Sequence, residues 1–191
     1  MTRDEQKRAL RTEAIARRAV LSGQERHDAA NGLVAMFHLE RPFEVPCAVS
    51  GFWPMAEEID IRPLMVDLHE RGCRLALPVV VGKRQPLVFR AWQPGDALET
   101  GVFGTLHPAP SCEELEPDAL IVPLLAVDDR GWRLGYGGGF YDRTLDRLRR
   151  KKKITAMGVA FDTQRVAQVP YGPDDQRLDW LLTDRRACAF V

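Results

Sequence analysis

Apolar side chains near the start of the chain recur at Leu10, Ala14 and Leu21, the spacing of one helical face. Thr2-x-x-Glu5 reads as a capping box, so a helix is predicted from there to about Leu21. Lys7, Arg11 and Arg18 form a row beside the apolar stripe. Such a row either lays its stems on the core edge with the charges in water, or faces an anionic ligand. Ser22-x-x-Glu25 repeats the capping signature and opens a second helix with Ala29, Ala30, Leu33, Val34 and Phe37 inward. Residues 47–53, closed by Pro54, read as the first strand. Asp60 is placed to cap a third helix that buries Ile61, Leu64, Met65 and Leu68 and stops at Gly72. Residues 74–81 read as a second strand, with 87–92 pairing back across the turn at 82–85. Residues 93–118 lack a sustained period and read as a long ordered surface excursion. His107, beside Pro108, reads there as a surface residue.

The second half has a sharper pattern. An apolar run over 119–127 suits one buried strand, and a polar turn follows at 128–131. Gly135, Gly137, Gly138 and Gly139 then arrive within five residues, and a helical pattern begins at Phe140 and runs to about Lys152. Its inner face is Tyr141, Thr144, Leu145 and Leu148. Asp142 in the first turn and the basic run 149–153 at the end complement the helix dipole. A strand over 154–161 completes a β-loop-α-β unit with a right-handed crossover. A turn-rich acidic loop at 169–175 and two short strands, 178–183 and 187–191, close the chain. Helices alternating with strands predict an α/β fold, and 1–191 reads as a single domain.

Composition removes several classes of function. Lys plus Arg and Asp plus Glu both number 27, which argues against broad electrostatic binding to nucleic acid or an anionic membrane. No apolar run is long enough to span a bilayer, and the N-terminal stretch is charged rather than signal-like. The four cysteines show no Cys-x-x-Cys pair and read as buried thiols. A soluble cytoplasmic protein is expected.

A strand, a glycine-rich loop and a helix start form a cradle for an anionic group. Arg133 and Asp142 flank this one with opposite charge. The loop is not a Walker P-loop, because Gly-x-x-x-x-Gly-Lys-Ser/Thr is absent, and it lacks the final spacing of a dinucleotide fingerprint. Asp174 and Asp175 suit either turn formation or oxygen ligation of Mg²⁺, which takes one or two carboxylates plus phosphate oxygens and waters. Glu58 follows a strand, where open α/β sheets place ligands, although spacing alone reads it as a solvated loop acid. A phosphate cradle, basic residues and metal-type carboxylates together are the parts that phosphoryl transfer needs.

Arg133-Leu-Gly-Tyr-Gly-Gly-Gly-Phe-Tyr-Asp-Arg143, preceded by Val122-Pro and Asp128-x-x-Gly131, resembles the signature of the 5-formyltetrahydrofolate cyclo-ligase (methenyltetrahydrofolate synthetase) family. Lys7-Arg-Ala-Leu-Arg11, Glu58-Ile59-Asp60, Gly101-Val-Phe-Gly104, Gln164, Val169-Pro170 and Asp175 extend the likeness over nearly the whole chain. The resemblance implies a three-layer α/β/α sandwich with a mainly parallel sheet, like ribose-phosphate isomerase and the CoA-transferases. It implies ATP-dependent closure of 5-formyltetrahydrofolate, with or without a polyglutamate tail, to 5,10-methenyltetrahydrofolate, with ADP and phosphate released. Carried over by position, Lys7, Arg8 and Arg11 would hold ATP together with Arg133, Leu134 and the loop Gly135, Tyr136, Gly137, Gly138, Gly139, Phe140 and Tyr141. Asp142 and Asp175 would be Mg²⁺ ligands, and Trp53 and Glu58 would contact the folate. Tyr136 to Phe140 would lie where the formyl group meets the γ-phosphate, with Arg133, Tyr136 and Gly138 at the reacting centre. The expected state is a monomer with no nucleic-acid or membrane partner. His107 and Phe140 depart from the family pattern, which often has Glu and Tyr there. The rival readings are a same-fold enzyme acting on a phosphorylated sugar or an acyl-CoA, and a non-catalytic nucleotide- or RNA-binding module using 149–153.

Overall fold

Both predicted capping boxes close. The Thr2 hydroxyl accepts the Glu5 N–H at 3.3 Å while the Glu5 carboxylate accepts the Thr2 N–H at 2.8 Å, and Ser22 with Glu25 repeats the exchange. The computed structural model describes residues 1–190, so the last residue of the predicted strand 187–191 lies outside the described residues. In chain order the elements are α1 (Arg3–Ala19), α2 (Gly23–Glu40), β1 (Ala48–Ser50), α3 (Arg62–Glu70), β2 (Arg74–Val79) and β3 (Val88–Ala91). There follow β4 (Glu99–Thr100), β5 (Leu106–His107), β6 (Ala119–Pro123), β7 (Ala126–Val127), β8 (Arg133–Leu134) and α4 (Phe140–Lys151). The chain closes with β9 (Thr155–Ala160), β10 (Trp180–Thr183) and β11 (Ala187–Ala189).

Seven strands form one sheet in the order β11-β10-β9-β6-β1-β2-β3, in which β10, β9, β6, β1 and β2 are parallel and only the two edge strands run antiparallel. Strand side chains alternate between faces, and that alternation sorts the core into two layers. Leu75, Leu77, Ile121, Met157, Val159 and Leu182 meet α2 and α3 through Leu33, Phe37, Leu64 and Leu68. Their sequence neighbours Ala76, Leu120, Val122, Ala156 and Leu181 point the other way, onto Leu145 and Leu148 of α4. Apolar residues on both faces of one sheet require helices on both, so the three-layer α/β/α arrangement follows from the strand composition. Helix α1 stands apart, seating Ala14 against Leu125, Ala126, Leu134 and Val169.

Four local expectations change. The apolar run over 119–127 is not one strand: β6 stays in the main sheet, while β7 leaves it to pair with β8 as a separate ribbon. The break is held by the buried Gln164 side chain, whose amide donates to the Leu124 and Leu125 carbonyls at 2.7 and 3.1 Å. Asp60 does not cap α3 from the cap position, which Ile61 occupies; its carboxylate instead accepts the Arg62 N–H at 2.9 Å and grips the Arg62 guanidinium. The stretch 93–118 contains a small β4–β5 hairpin, with Phe103 in left-handed backbone at its tip. Of the four cysteines only Cys73 is fully buried, the other three being half-buried.

Candidate functional site

After β1 the chain travels to β2 on one side of the sheet, and after β6 it travels to β9 on the other. Between β1 and β6 the direction of winding therefore reverses. Open α/β sheets bind ligands outside the carboxyl ends of the strands at such a point. A cavity of about 480 Å³ lies there, floored by Phe52 and Trp53 after β1, Pro78 and Val80 around the end of β2, and Pro123 at the end of β6. The glycine loop 135–139 and Phe140, Tyr141 and Asp142 form one wall, while Phe103, Thr105 and Leu106 of the hairpin overhang it. Sequence reasoning missed this overhang as a wall, since residues 93–118 carry no periodic signal; the Gly101-Val-Phe-Gly104 match was the one pointer.

The loop's shape needs glycine at two positions. Gly137 has φ +102° and Gly139 has φ +64°, backbone that other residues resist. A Cβ on Gly137 would also sit 3.3 Å from the Arg11 Nη2. Gly139 occupies the cap position of α4 without a side-chain cap, so the helix's first N–H groups face the cavity end without a capping oxygen.

Every predicted site residue except one reaches the cavity wall. Lys7 and Arg11 line it from α1, one helical turn apart, whereas Arg8 is exposed and turned away, as adjacent helix positions must be. Lys7 donates to the Asp175 carboxylate at 2.7 Å, and Arg11 donates through Nε to the Gly135 carbonyl at 2.9 Å. Arg133 is nearly buried, donating to Asp142 at 2.9 Å and to the Gln176 carbonyl. Burial pushes its pKa below the ordinary guanidinium range, and the adjacent Asp142 opposes that push. Asp142 also accepts the Gln176 N–H at 3.0 Å, and Asp175 accepts the Gly172 N–H at 2.6 Å. Leu134 is buried in the β7–β8 ribbon and presents its edge to the cavity.

Glu58 corrects the solvated-acid reading, because it is only 9% exposed. One carboxylate oxygen accepts the Met55 N–H at 2.9 Å and the other accepts the Tyr136 hydroxyl at 2.9 Å. Desolvation raises its pKa, and those hydrogen bonds together with the Arg18 charge oppose the rise. Tyr136 is itself pushed up to about 12, first by burial and then by the nearby Glu58. The buried Tyr141 hydroxyl has no hydrogen-bond partner among the described residues, and burial raises its pKa strongly. Trp53 meets Trp92 edge-to-face at 5.9 Å, with the Arg62 guanidinium 5.4 Å above its ring.

Among the described residues no three His, Cys, Asp or Glu side chains converge on a ready-made metal cage. Asp142 and Asp175 are two carboxylates on one cavity, a donor set that fits Mg²⁺ shared with phosphate oxygens better than an all-protein cage. The basic end of α4 is already matched by acids: Arg149 with Asp179, Arg150 with Asp146, Lys151 with Glu116 and Lys152 with Asp118. Among the described residues no helix is long and apolar enough to cross a membrane. His107 does not line the cavity.

A buried carboxylate, a phosphate-type loop and paired cations meet around a switch-point cleft, the arrangement of an α/β enzyme. A family model described as the 5-formyltetrahydrofolate cyclo-ligase family matches residues 3–184. A curated 5-formyltetrahydrofolate cyclo-ligase of Mycolicibacterium smegmatis is 35% identical over 146 residues, covering 72% of this chain and 74% of that protein. Its counterpart in Escherichia coli K12 is 31% identical over 159 residues, covering 81% and 87%. The solved structure of Aquifex aeolicus 5,10-methenyltetrahydrofolate synthetase superposes with a TM-score of 0.80 at 27% identity, covering 96% of this chain and 92% of that one. The chain belongs to the 5-formyltetrahydrofolate cyclo-ligase family.

Proposed function

We propose that this chain closes 5-formyltetrahydrofolate to 5,10-methenyltetrahydrofolate using MgATP, releasing ADP and phosphate. The observation that carries the reading is the meeting in one cavity of Lys7 and Arg11 from α1, the glycine loop, Asp142 and Asp175, and Trp53 with Glu58. Those groups come from both ends of the chain. A generic anion cradle would need only the loop and the helix start.

The chemistry assigns work to each. A formamide oxygen is a poor leaving group, so the γ-phosphoryl group is transferred to it and the bond to ADP breaks. N10 of the folate then attacks the activated carbon, phosphate leaves with the former formyl oxygen, and N10 gives up its proton. Lys7, Arg11 and Arg133 supply cationic charge for the phosphates, and the loop from Gly135 to Tyr141 supplies N–H dipoles set in place before reaction. Asp142 and Asp175 would hold Mg²⁺, which neutralises developing charge on the phosphate oxygens. Glu58 offers an ionised acceptor to the pterin N–H groups, and Trp53 offers an aromatic face. Tyr136, Gly138 and Phe140 border the point where formyl group and phosphate would meet. Phe140 brings no hydroxyl to that point.

Protein mixed with MgATP and 5-formyltetrahydrofolate should show a rise in near-ultraviolet methenyl absorbance that requires ATP. The absence of an ATP-dependent rise would overturn the assignment.

A further inference from the structure

Arg18 has no role in the scheme above, yet it is 3% exposed at the last turn of α1. Arginine is rarely buried so fully without a partner that needs it. Its side chain neither snorkels to water nor lines the cavity. Instead its Nη2 donates to the Tyr136 hydroxyl oxygen at 2.8 Å, and the guanidinium lies 5.9 Å from the centre of that ring. Arg11, seven residues earlier on the same face, holds the Gly135 carbonyl, so α1 grips two successive loop residues.

Proton counting gives the contact a direction. A guanidinium can only donate, and a phenol has one proton. With Arg18 donating to the phenol oxygen, that single proton must point at Glu58, whose Oε1 accepts it at 2.9 Å. The row is a buried cation, a neutral relay and a buried anion. We infer that Arg18 is a positioning residue which, acting through Tyr136, keeps Glu58 ionised and its carboxylate aimed as an acceptor in the cavity. Among the described residues the buried Arg18 Nε has no hydrogen-bond partner, so the guanidinium's polar contact is made through Nη2 to Tyr136. Among the described residues, the charged and titratable groups facing Glu58 are Arg18 from α1, Tyr136 from the loop and Tyr141 from α4, and the cation whose charge favours its ionised form is Arg18.

The ligand half of this inference rests on the folate reading, but the titration half does not, and the test separates them. In protein carrying ¹³C-carboxyl glutamate, the resonance missing from Glu58→Gln reports Glu58 without any substrate. Its midpoint should move to higher pH in Arg18→Met and in Tyr136→Phe, and Arg18→Lys should restore part of the shift. In the Tyr136→Phe background, Arg18→Met should add less than it does alone. Folate binding, read from tryptophan fluorescence without ATP, should weaken roughly tenfold in Arg18→Met near the bottom of the neutral range and recover as pH rises. An unmoved Glu58 midpoint in Arg18→Met and Tyr136→Phe, variants that keep the core filled, would overturn the inference. A moved midpoint with no folate binding by the unaltered protein would uphold the relay and overturn the folate assignment instead.

Discussion

Replacing Asp142 by Asn tests the metal assignment and the internal pairing of the site together. The carboxylate accepts from Arg133 at 2.9 Å and from the Gln176 N–H at 3.0 Å, and the Arg133 side chain is 5% exposed. Alanine would remove the acceptor of both bonds and strip a buried guanidinium of its hydrogen-bonded anion, which costs about 3–5 kcal/mol where a buried pair is broken. Asparagine keeps an oxygen for the Gln176 N–H and removes mainly the charge. Arg133 also keeps the Gln176 carbonyl, and Asp142 is a quarter exposed, so about 2 kcal/mol is the expected loss. For a chain of this length that lowers Tm by about 4–8 °C, leaving the fold intact at 25 °C. Turnover should fall by about a hundredfold or more, because the carboxylate that would hold the divalent ion is gone, and raising Mg²⁺ should recover part of it. Thermal unfolding by circular dichroism reads the first effect, and methenyl absorbance across a Mg²⁺ titration reads the second. Full turnover at low Mg²⁺ would remove Asp142 from the metal site. An unchanged Tm would show that the Arg133 pair carries no stability.

Three further outcomes are expected. Lys7→Ala should raise the ATP KM by more than the folate KM, by about tenfold for one charged phosphate contact; the reverse order would return Lys7 to snorkelling on the core edge. Gly137→Ala should cost about 1–2 kcal/mol in urea unfolding, since it forces φ +102° on a residue with a Cβ and crowds Arg11; a neutral result would mean the loop relaxes freely. Glu58→Gln should change how stability depends on pH. Burial raises the Glu58 pKa, so the folded protein holds that proton more tightly than the unfolded chain. The resulting stability is complete below the ordinary glutamate range and is lost as pH rises through the raised value. The Tm of Glu58→Gln relative to the unaltered protein should therefore climb across that window. A flat difference would place Glu58 in an environment like water.

Much of the fold was written locally. Thr2 with Glu5 and Ser22 with Glu25 cap their helices through contacts three residues apart, so four letters suffice to predict them. The layers follow from strands that are apolar at successive positions, and the loop's demand for glycine follows from its backbone alone. The candidate site was readable from residues 133–143 and 7–11 for the same reason: the chain carries its phosphate-type elements as contiguous motifs.

The tertiary structure decided what depends on distant partners. The break between β6 and β7 hangs on Gln164, some forty residues later, and so looked like one strand. Lys7 and Asp175 are 168 residues apart, and nothing near either reveals the pair. Glu58 read as a solvated acid because solvation is not a local property. Packing around the cavity strips its water, while Tyr136 and, behind it, Arg18 replace that water. Sequence determines which groups are available and how the backbone under them turns. The dielectric around a charge, and therefore its proton and its partner, is set by whatever the fold packs against it.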